Sequence, residues 1–583
     1  MKELDAETGS VGAAVPLPEQ RKRSAAGHYW QHADEAAPAC MTTRLKRPDH
    51  RYRQLRCAVN AVLLAFIVTV PPMVFLFRAS TSTPPVLIGA ANTLRLGSAT
   101  GHDRLLGGLL PDGMDERSCH SRYQSSMYRR NAGRPPSPYL VSKLRRHEAL
   151  QRRCGPGTVA YMDAAEQLRS GKQSQAGPGI GSPDCKYLVS ISYRGLGNRI
   201  LAAASAFLYA VLTDRVLLVD PSNEMDELFC EPFPDTTWIL PADFPLTGYT
   251  NFSIDTAESY GNMLKRKVLD AASTTAQAAQ RLPAFAYVNL DHHLTDEDKM
   301  FFCDEDQRVL RDIRWLVMRT DSYIVPGLFL ATGFQAELDL LFPEPDTVFH
   351  HLVRYLFHPN NHVWGLVTRY HDAYLAAASQ RVGIQVRVFG GQESPAVLEQ
   401  ITTCAQKGSL LPEVLAAGTE PSAPTPARKS KAVLVTSLKA WYYERIKSMY
   451  WERATATGEA VGVHQPSHEE HQQFGAKSHD TKAWAEMYLL SLTDVLVTSG
   501  WSTFGYVAQG LGGLTPWVMY RPENASHVPD PPCVRDLSME PCFHTPPFYD
   551  CRTKQGADTG KMVPHVQHCE DVSWGLKLVP HPA

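Results

Sequence analysis

The sequence predicts an α/β protein in which two parallel-sheet regions face each other across a cleft, behind a single N-terminal membrane span. Strand-like runs alternate with helical ones through most of the chain, the pattern of parallel α/β domains. The length of 583 residues exceeds one ordinary core and, at about 100–200 residues per domain, predicts two large domains with appendages. An uncharged apolar run at residues 57–77 supplies the span.

Residues 1–56 form a polar, basic cytosolic tail without helical periodicity. The run at 57–77, CAVNAVLLAFIVTVPPMVFLF, is long enough to cross about 30 Å of hydrocarbon as a helix. Its Pro71 and Pro72 are better tolerated in a membrane helix than in a soluble one. Arg44, Lys46, Arg47, Arg51, Arg53 and Arg56 precede it and only Arg78 follows closely, so the positive-inside bias predicts a single-pass type II protein with a lumenal body. The run starts too far from Met1 for a cleaved signal peptide. Residues 78–114 read as a stem, with Ser, Thr, Gly and other small residues concentrated in 79–105.

Beyond the span stand Cys119, Cys154, Cys185, Cys230, Cys303, Cys404, Cys533, Cys542, Cys551 and Cys569, an even number that suits disulfides in an oxidising lumen. The last four contain no CxxC pair, which weakens a zinc reading. Glycosylation sequons at Asn251 and Asn524 fall on the same side.

The 58 Lys and Arg nearly balance 60 Asp and Glu, so overall charge argues against a nucleic-acid partner and any anion site must be local. Two α/β domains are expected at 115–365 and 366–583. In the first, 187–191 reads as a strand, Gly195-Leu196-Gly197 as a turn, 200–212 as a helix apolar on nearly every face, and 215–220 as the next strand. In the second, strands are expected at GIQVRVF and KAVLVTSL, a helix at 484–492, a strand at 495–498, and a further one at 516–520. The low-complexity stretch 416–431 reads as an exposed insertion.

Three loops fall at strand ends, where such folds bind ligands. In the first, Asn198 can cap a helix, which puts Arg199 in the first turn, where its charge opposes the macrodipole. A bound anion would resolve that conflict, and a solvated arginine beside a tight turn is the plain alternative. In the second, Ile384, Val386 and Val388 share one face while Gln385 and Arg387 share the other. Arg387 can grip a diphosphate with two prongs and offset charge on a leaving nucleotide, or pair with a carboxylate at a sheet edge. The third, Thr498 to Gly505, leads from strand to helix with small hydroxyl residues and free N–H groups, as a phosphate cradle or a plain cap.

Other signals are weaker. Asp304-Glu305-Asp306 spells the DxD pattern of metal-dependent transferases, but it reads as the acidic start of a helical run to Leu316. The histidine-rich stretch 464–479 lacks HExxH spacing and reads as a polar loop, and His292-His293 beside Asp291 is ambiguous. No GxSxG or Walker loop is present.

The segments SKLRRHEALQRRCGPGT, DCKYLVSISYRGLGNRILAAASAFLYAVLTDRVLLVD, LFCEPFPDTTW, YLFHPNNHVW, GIQVRVF and DVLVTSGWSTFGYVAQGLGGL closely resemble the plant xyloglucan fucosyltransferases. The likeness runs from about residue 115 to the C-terminus and omits tail and stem. It implies a GT-B-like glycosyltransferase fold, two Rossmann-like domains facing a cleft, and inverting transfer of fucose from GDP-β-L-fucose to the 2-hydroxyl of galactose without a metal or other cofactor. The acceptor would be a cell-wall glycan, xyloglucan first and arabinogalactan-protein glycans second. By the same resemblance Arg387 binds the diphosphate, Gly197, Asn198 and Arg199 form the glycine-asparagine loop, and Ser502, Thr503 and Phe504 the hydroxyl-rich loop, all on the GDP-fucose side. Asp321 is linked to the acceptor, either as a base or as an orienting group. The implied setting is the Golgi membrane, where a homodimer or a glycosyltransferase complex is compatible with it. The alternative is a catalytically silent glycan-binding or scaffold member of such a complex, which would tolerate losses at Arg387 or Asp321.

Overall fold

Two parallel sheets, each flanked by helices, carry the fold. The computed structural model describes residues 103–581 except 131–132, 172–184, 223–224, 270–281, 293, 389–391, 420–429, 474 and 522–526. The expected tail, the span at 57–77, most of the stem, the sequon at Asn524 and most of the insertion at 416–431 lie outside the described residues. Among the described residues no helix is long and apolar enough to cross a membrane.

Helix α1 (Pro138–Cys154) opens on Ser137, whose hydroxyl accepts from the Leu140 N–H, with proline at the first helical position. Strand β1 (Lys186–Ile191) turns into α2 (Leu196–Leu212), which returns to β2 (Arg215–Val219). After β3 (Phe285–Asn289), α3 (Asp304–Asp312) and β4 (Trp315–Arg319), the first sheet is complete in the order β2-β1-β4-β3, all parallel. Helices α4 (Val348–Leu356) and α5 (Asn361–Tyr370) lead to the second half. There follow β5 (Gln380–Val386), α6 (Pro395–Lys407), β6 (Ser430–Ser437), α7 (Ala440–Glu452), β7 (Ala460–His464), α8 (Lys477–Leu490), β8 (Val495–Ser499), α9 (Thr503–Gly512), β9 (Trp517–Met519) and β10 (Cys533–Arg535). The second sheet runs β10-β9-β8-β5-β6-β7, and only the β9–β10 pair is antiparallel.

Parallel strands covered on both faces are apolar along their length, and β2 (RVLLV) is buried at every residue. The same reasoning corrects one expectation. The run from Asp304 is helical only to Asp312, and Trp315–Arg319 is strand β4, because a short buried strand and a buried helical turn share one apolar pattern. Two boundaries also move. Helix α2 starts at Leu196 with Gly195 as its cap, so Asn198 lies inside the first turn and caps nothing. Strand β5 ends at Val386, leaving Arg387 in the loop just past it.

Every residue of α2 except Asn198 is buried. Its Phe207 and Leu208 share one apolar cluster with Leu188 and Leu217 of the first sheet, Trp484 and Leu489 of α8, and Val507 and Leu511 of α9. Helices α9 and α4 close on this core at Gly510, where a Cβ would lie 2.2 Å from the Phe349 ring. Residues 99–583 thus form one compact unit in which both sheets share a core.

The C-terminal segment returns to the first half. Glu540 accepts from the Tyr323 hydroxyl and from the Phe349 N–H, each at 2.6 Å. Five disulfides join Cys119 to Cys230, Cys154 to Cys185, Cys303 to Cys551, Cys404 to Cys533 and Cys542 to Cys569. They use all ten cysteines named above, so none of those ten keeps a thiolate for zinc, and each long-loop bridge contributes roughly 2–4 kcal/mol.

Candidate active site

The carboxyl ends of the two sheets are brought together by the first turns of α2 and α9. On the first sheet, β1 ends beside β4, with Ile191 in register with Arg319, so Ser192 and Asp321 emerge next to each other. The Asp321 carboxylate is 3 % exposed. One oxygen accepts from the Ser192 hydroxyl and the other from Arg194 Nε at 2.9 Å. Strand β3 is in register with β4 on its other side, Asn289 opposite Arg319, and delivers Asp291 and His292 to the same edge. Single polar atoms of Asp291, His292 and Asp321 lie within 4.8 Å of one another.

On the second sheet, β5 and β8 run side by side with Gln385 opposite Thr498, and the Thr498 hydroxyl donates to Gln385 Oε1 at 2.9 Å. Just beyond this pair, the Arg387 N–H donates to Ser499 Oγ at 3.0 Å. The Arg387 side chain is solvent-exposed, and the protein near it lowers its pKa through desolvation. The loop after β8 passes through Trp501, held at φ 61°, and enters α9. A tryptophan in the left-handed region is strained by about 1–3 kcal/mol and persists only where its surroundings impose it. Asp571 does so here. Its carboxylate accepts from the Trp501 N–H at 2.9 Å, and its backbone carbonyl accepts from the indole at 2.8 Å. The same carboxylate accepts from the Tyr506 hydroxyl, whose oxygen lies 3.1 Å from His544 Nε2. Burial keeps the His544 pKa below the ordinary histidine range, with Asp571 opposing the shift.

Asn198 joins the two edges. Its Nδ2 donates to the Asp321 carbonyl at 2.9 Å, and its Oδ1 accepts from the Thr503 hydroxyl at 3.1 Å. Gly197 permits this approach, since a Cβ there would sit 2.7 Å from Thr503 Oγ1 and 2.9 Å from the Thr503 carbonyl carbon. Ser502 precedes α9 without using its hydroxyl as a cap and is 3 % exposed, while Phe504 packs half-buried on the shared core. The structure therefore gathers Gly197, Asn198, Thr503 and Asp321 directly and ties Arg387 to the same loop through Ser499.

Arg199 lies elsewhere. Its guanidinium is 3 % exposed and forms an ion pair with Asp480 of α8, 4 % exposed, and its Nε donates to the Arg194 carbonyl at 3.1 Å. The anion set against this first-turn arginine is a protein carboxylate. Asn251 is exposed on a single 3₁₀ turn, open to modification.

The DxD acids serve structure. Asp304 accepts from the Thr332 hydroxyl and from the Gly333 N–H at 2.7 Å, while Asp306 accepts from the Tyr260 hydroxyl at 2.6 Å, and burial pushes its pKa up to about 6. In the histidine-rich stretch, His479 Nδ1 lies 3.2 Å from a Glu469 oxygen and Nε2 3.1 Å from Gln472 Nε2. Sequence reasoning gave no role to Arg194, although it belongs to the first loop selected, and passed over Ser192, which adjoins that loop. It had no means of finding Asp571 or His544, which approach the loop from the chain's end, and it gave no role to Tyr506, which follows that loop in α9.

Comparison with known proteins now adds to this geometry. The family described as xyloglucan fucosyltransferase matches residues 86–552. The chain is 55 % identical over 482 residues to a galactoside 2-alpha-L-fucosyltransferase of Pisum sativum, covering 82 % of each chain. It is 57 % identical over 480 residues to the Arabidopsis thaliana protein of the same name, covering 82 % of this chain and 83 % of that one. A solved structure of an Arabidopsis thaliana FUT1 mutant in complex with GDP matches with a TM-score of 0.74 at 55 % identity, over 82 % of this chain and 100 % of that one.

Proposed function

The chain belongs to the xyloglucan fucosyltransferase family, and from that premise we propose that it transfers L-fucose from GDP-β-L-fucose to the 2-hydroxyl of a galactose on a cell-wall glycan. The product linkage is α, so the fucose anomeric carbon inverts. The observation that carries this reading is the Asn198 bridge, which fixes the buried Asp321 of one sheet edge against the Thr503 loop of the other. In this reading the two sheets are the halves of a GT-B-like architecture, with the acceptor on the side of residues 115–365 and GDP-fucose on the side of 366–583.

Transfer requires a departing diphosphate to be stabilised, an oxocarbenium-like sugar to be sheltered and an acceptor hydroxyl to be positioned. Arg387, exposed at the end of β5, offers the diphosphate a charged fork. The first turn of α9, entered from the loop after β8, adds a positive dipole end on the same sheet edge. Asp321, already fixed by Ser192 and Arg194, orients the galactose. This arrangement assigns the charge on the leaving group to an arginine, and no metal is required.

The test uses the full-length chain with labelled GDP-fucose and a panel of xyloglucan, arabinogalactan-protein glycans and an acceptor lacking galactose, with and without chelator. We expect transfer to galactose-bearing acceptors, xyloglucan first, at a rate chelation leaves unchanged. A chain that binds GDP yet labels no acceptor would sink the transfer reading. Loss on chelation reversed by manganese or magnesium would sink the metal-free one.

We further propose that the body faces the Golgi lumen, anchored by residues 57–77. The support is the charge asymmetry around that run, the five disulfides and the exposed Asn251. Treating the protein from its native cells with an N-glycosidase should lower its apparent mass, and Asn251→Gln should remove one glycan's share. An unchanged mass in wild type would argue against lumenal exposure of this turn.

A further inference from the structure

Asp321 is well placed to orient an acceptor and poorly placed to take its proton. Both carboxylate oxygens already accept hydrogen bonds, one from a hydroxyl and one from the Arg194 guanidinium. Protonating this carboxylate would forfeit a charge-assisted contact. Next to it stands an imidazole with no such commitment to a cation. A His292 ring nitrogen, an Asp291 oxygen and an Asp321 oxygen lie within 4.8 Å of one another. His292 donates its own N–H to Asp291 Oδ1 at 2.8 Å, which fixes the backbone, while Nε2 stands 3.8 Å from the same oxygen. The side chain is 32 % exposed, open enough for an acceptor to reach, whereas Asp321 is at 3 %.

We propose that His292 is the proton acceptor of the transfer step, with Asp321 and Asp291 as positioning carboxylates that hold the ring and stabilise its cation. The proposal rests on the fucosyl-transfer reading of this site. As the galactose O2 forms its bond to the fucose anomeric carbon, the bond from that carbon to the β-phosphate oxygen breaks. The electron pair of the broken bond leaves on GDP. The proton of the O2–H passes to a His292 ring nitrogen, and the imidazolium later releases it to solvent. Two carboxylates therefore face the site of new positive charge. Asp291 comes from the segment after β3 and Asp321 from the segment after β4. Arg319 on β4 lies 3.7 Å from Asp291 and Arg194 lies against Asp321, so neither carboxylate is an isolated charge. From the C-terminal segment His544 lies close enough to His292 to feel its charge, and burial holds His544 toward the neutral form.

The experiment compares full-length wild type with His292→Asn, His292→Ala and Asp321→Asn, reading kcat, KM for GDP-fucose, GDP affinity and the pH profile of kcat. Wild-type transfer is established first in the same assay, so a failure of the fucosyl-transfer reading shows itself before this one is tested. We expect His292→Asn to lower kcat by about 100- to 10,000-fold, the range of general base catalysis, with GDP affinity and KM for the donor within about 3-fold. The acid limb of the kcat profile should vanish in that variant. Added imidazole should restore part of the rate to His292→Ala, a readout a merely structural role would not produce. Thermal unfolding of each variant separates misfolding from lost chemistry, and rescue by imidazole itself requires a folded protein. Three results would overturn the proposal. They are a near-normal kcat in His292→Asn, an acid limb that persists there but disappears in Asp321→Asn, and a His292→Ala protein that folds and binds GDP but gains nothing from imidazole.

Discussion

Arg387→Ala should slow fucosyl transfer by about 30- to 1000-fold, equivalent to roughly 2–4 kcal/mol of transition-state stabilisation. Charge on the diphosphate grows as GDP departs, so a guanidinium contact strengthens along the reaction and its loss falls mainly on the rate. Folding should be little changed, because the side chain is exposed and the backbone N–H that anchors the loop to Ser499 survives the substitution. Arg387→Lys should recover only part of the rate, since an ammonium keeps the charge and loses the planar fork. Transfer rate, GDP affinity and thermal unfolding of the three proteins decide the matter. Near-normal turnover by a well-folded Arg387→Ala protein would place the diphosphate elsewhere.

The second large effect is on stability. Arg199 and Asp480 are both almost wholly buried and pair across the shared core, α2 to α8. Removing one partner strands the other charge in a medium that solvates it poorly, so Arg199→Ala or Asp480→Ala should destabilise the protein by about 3–5 kcal/mol. The double variant should lose less than the two single losses combined, because no uncompensated charge remains. Unfolding midpoints of the four proteins complete the cycle. If Arg199→Ala keeps wild-type stability but loses GDP affinity, the arginine belongs to the donor site after all.

Much of the architecture was legible along the chain. Helix α2 declared itself as buried because apolar residues cover nearly all its faces, and the strand at 187–191 was recognisable beside it. Arg387 was visible as a side chain at the end of an alternating strand, and the loops at Gly197 and Thr503 as helix starts rich in small or polar residues. The first strand-helix-strand unit and the loop after β8 are also where long runs of residues resemble the family. Strand β4 was misread as helix because a covered parallel strand alternates nothing.

What the chain's own pattern fixed was therefore local: which segments must be buried and which strand ends carry polar side chains. Hydrophobic periodicity is set by neighbours in the chain and reports that a face is covered, without saying by what. Only the tertiary structure decided the partners. It set Asp480 against Arg199 from 281 residues away, paired the cysteines, and bent Trp501 into place with Asp571 from 70 residues downstream. It also placed Asp291 and His292 beside Asp321, because β3 and β4 run in register although α3 separates them in sequence. Such contacts arise when independent elements pack on a common core, and side-chain chemistry then depends on strand order and register, which no local pattern encodes.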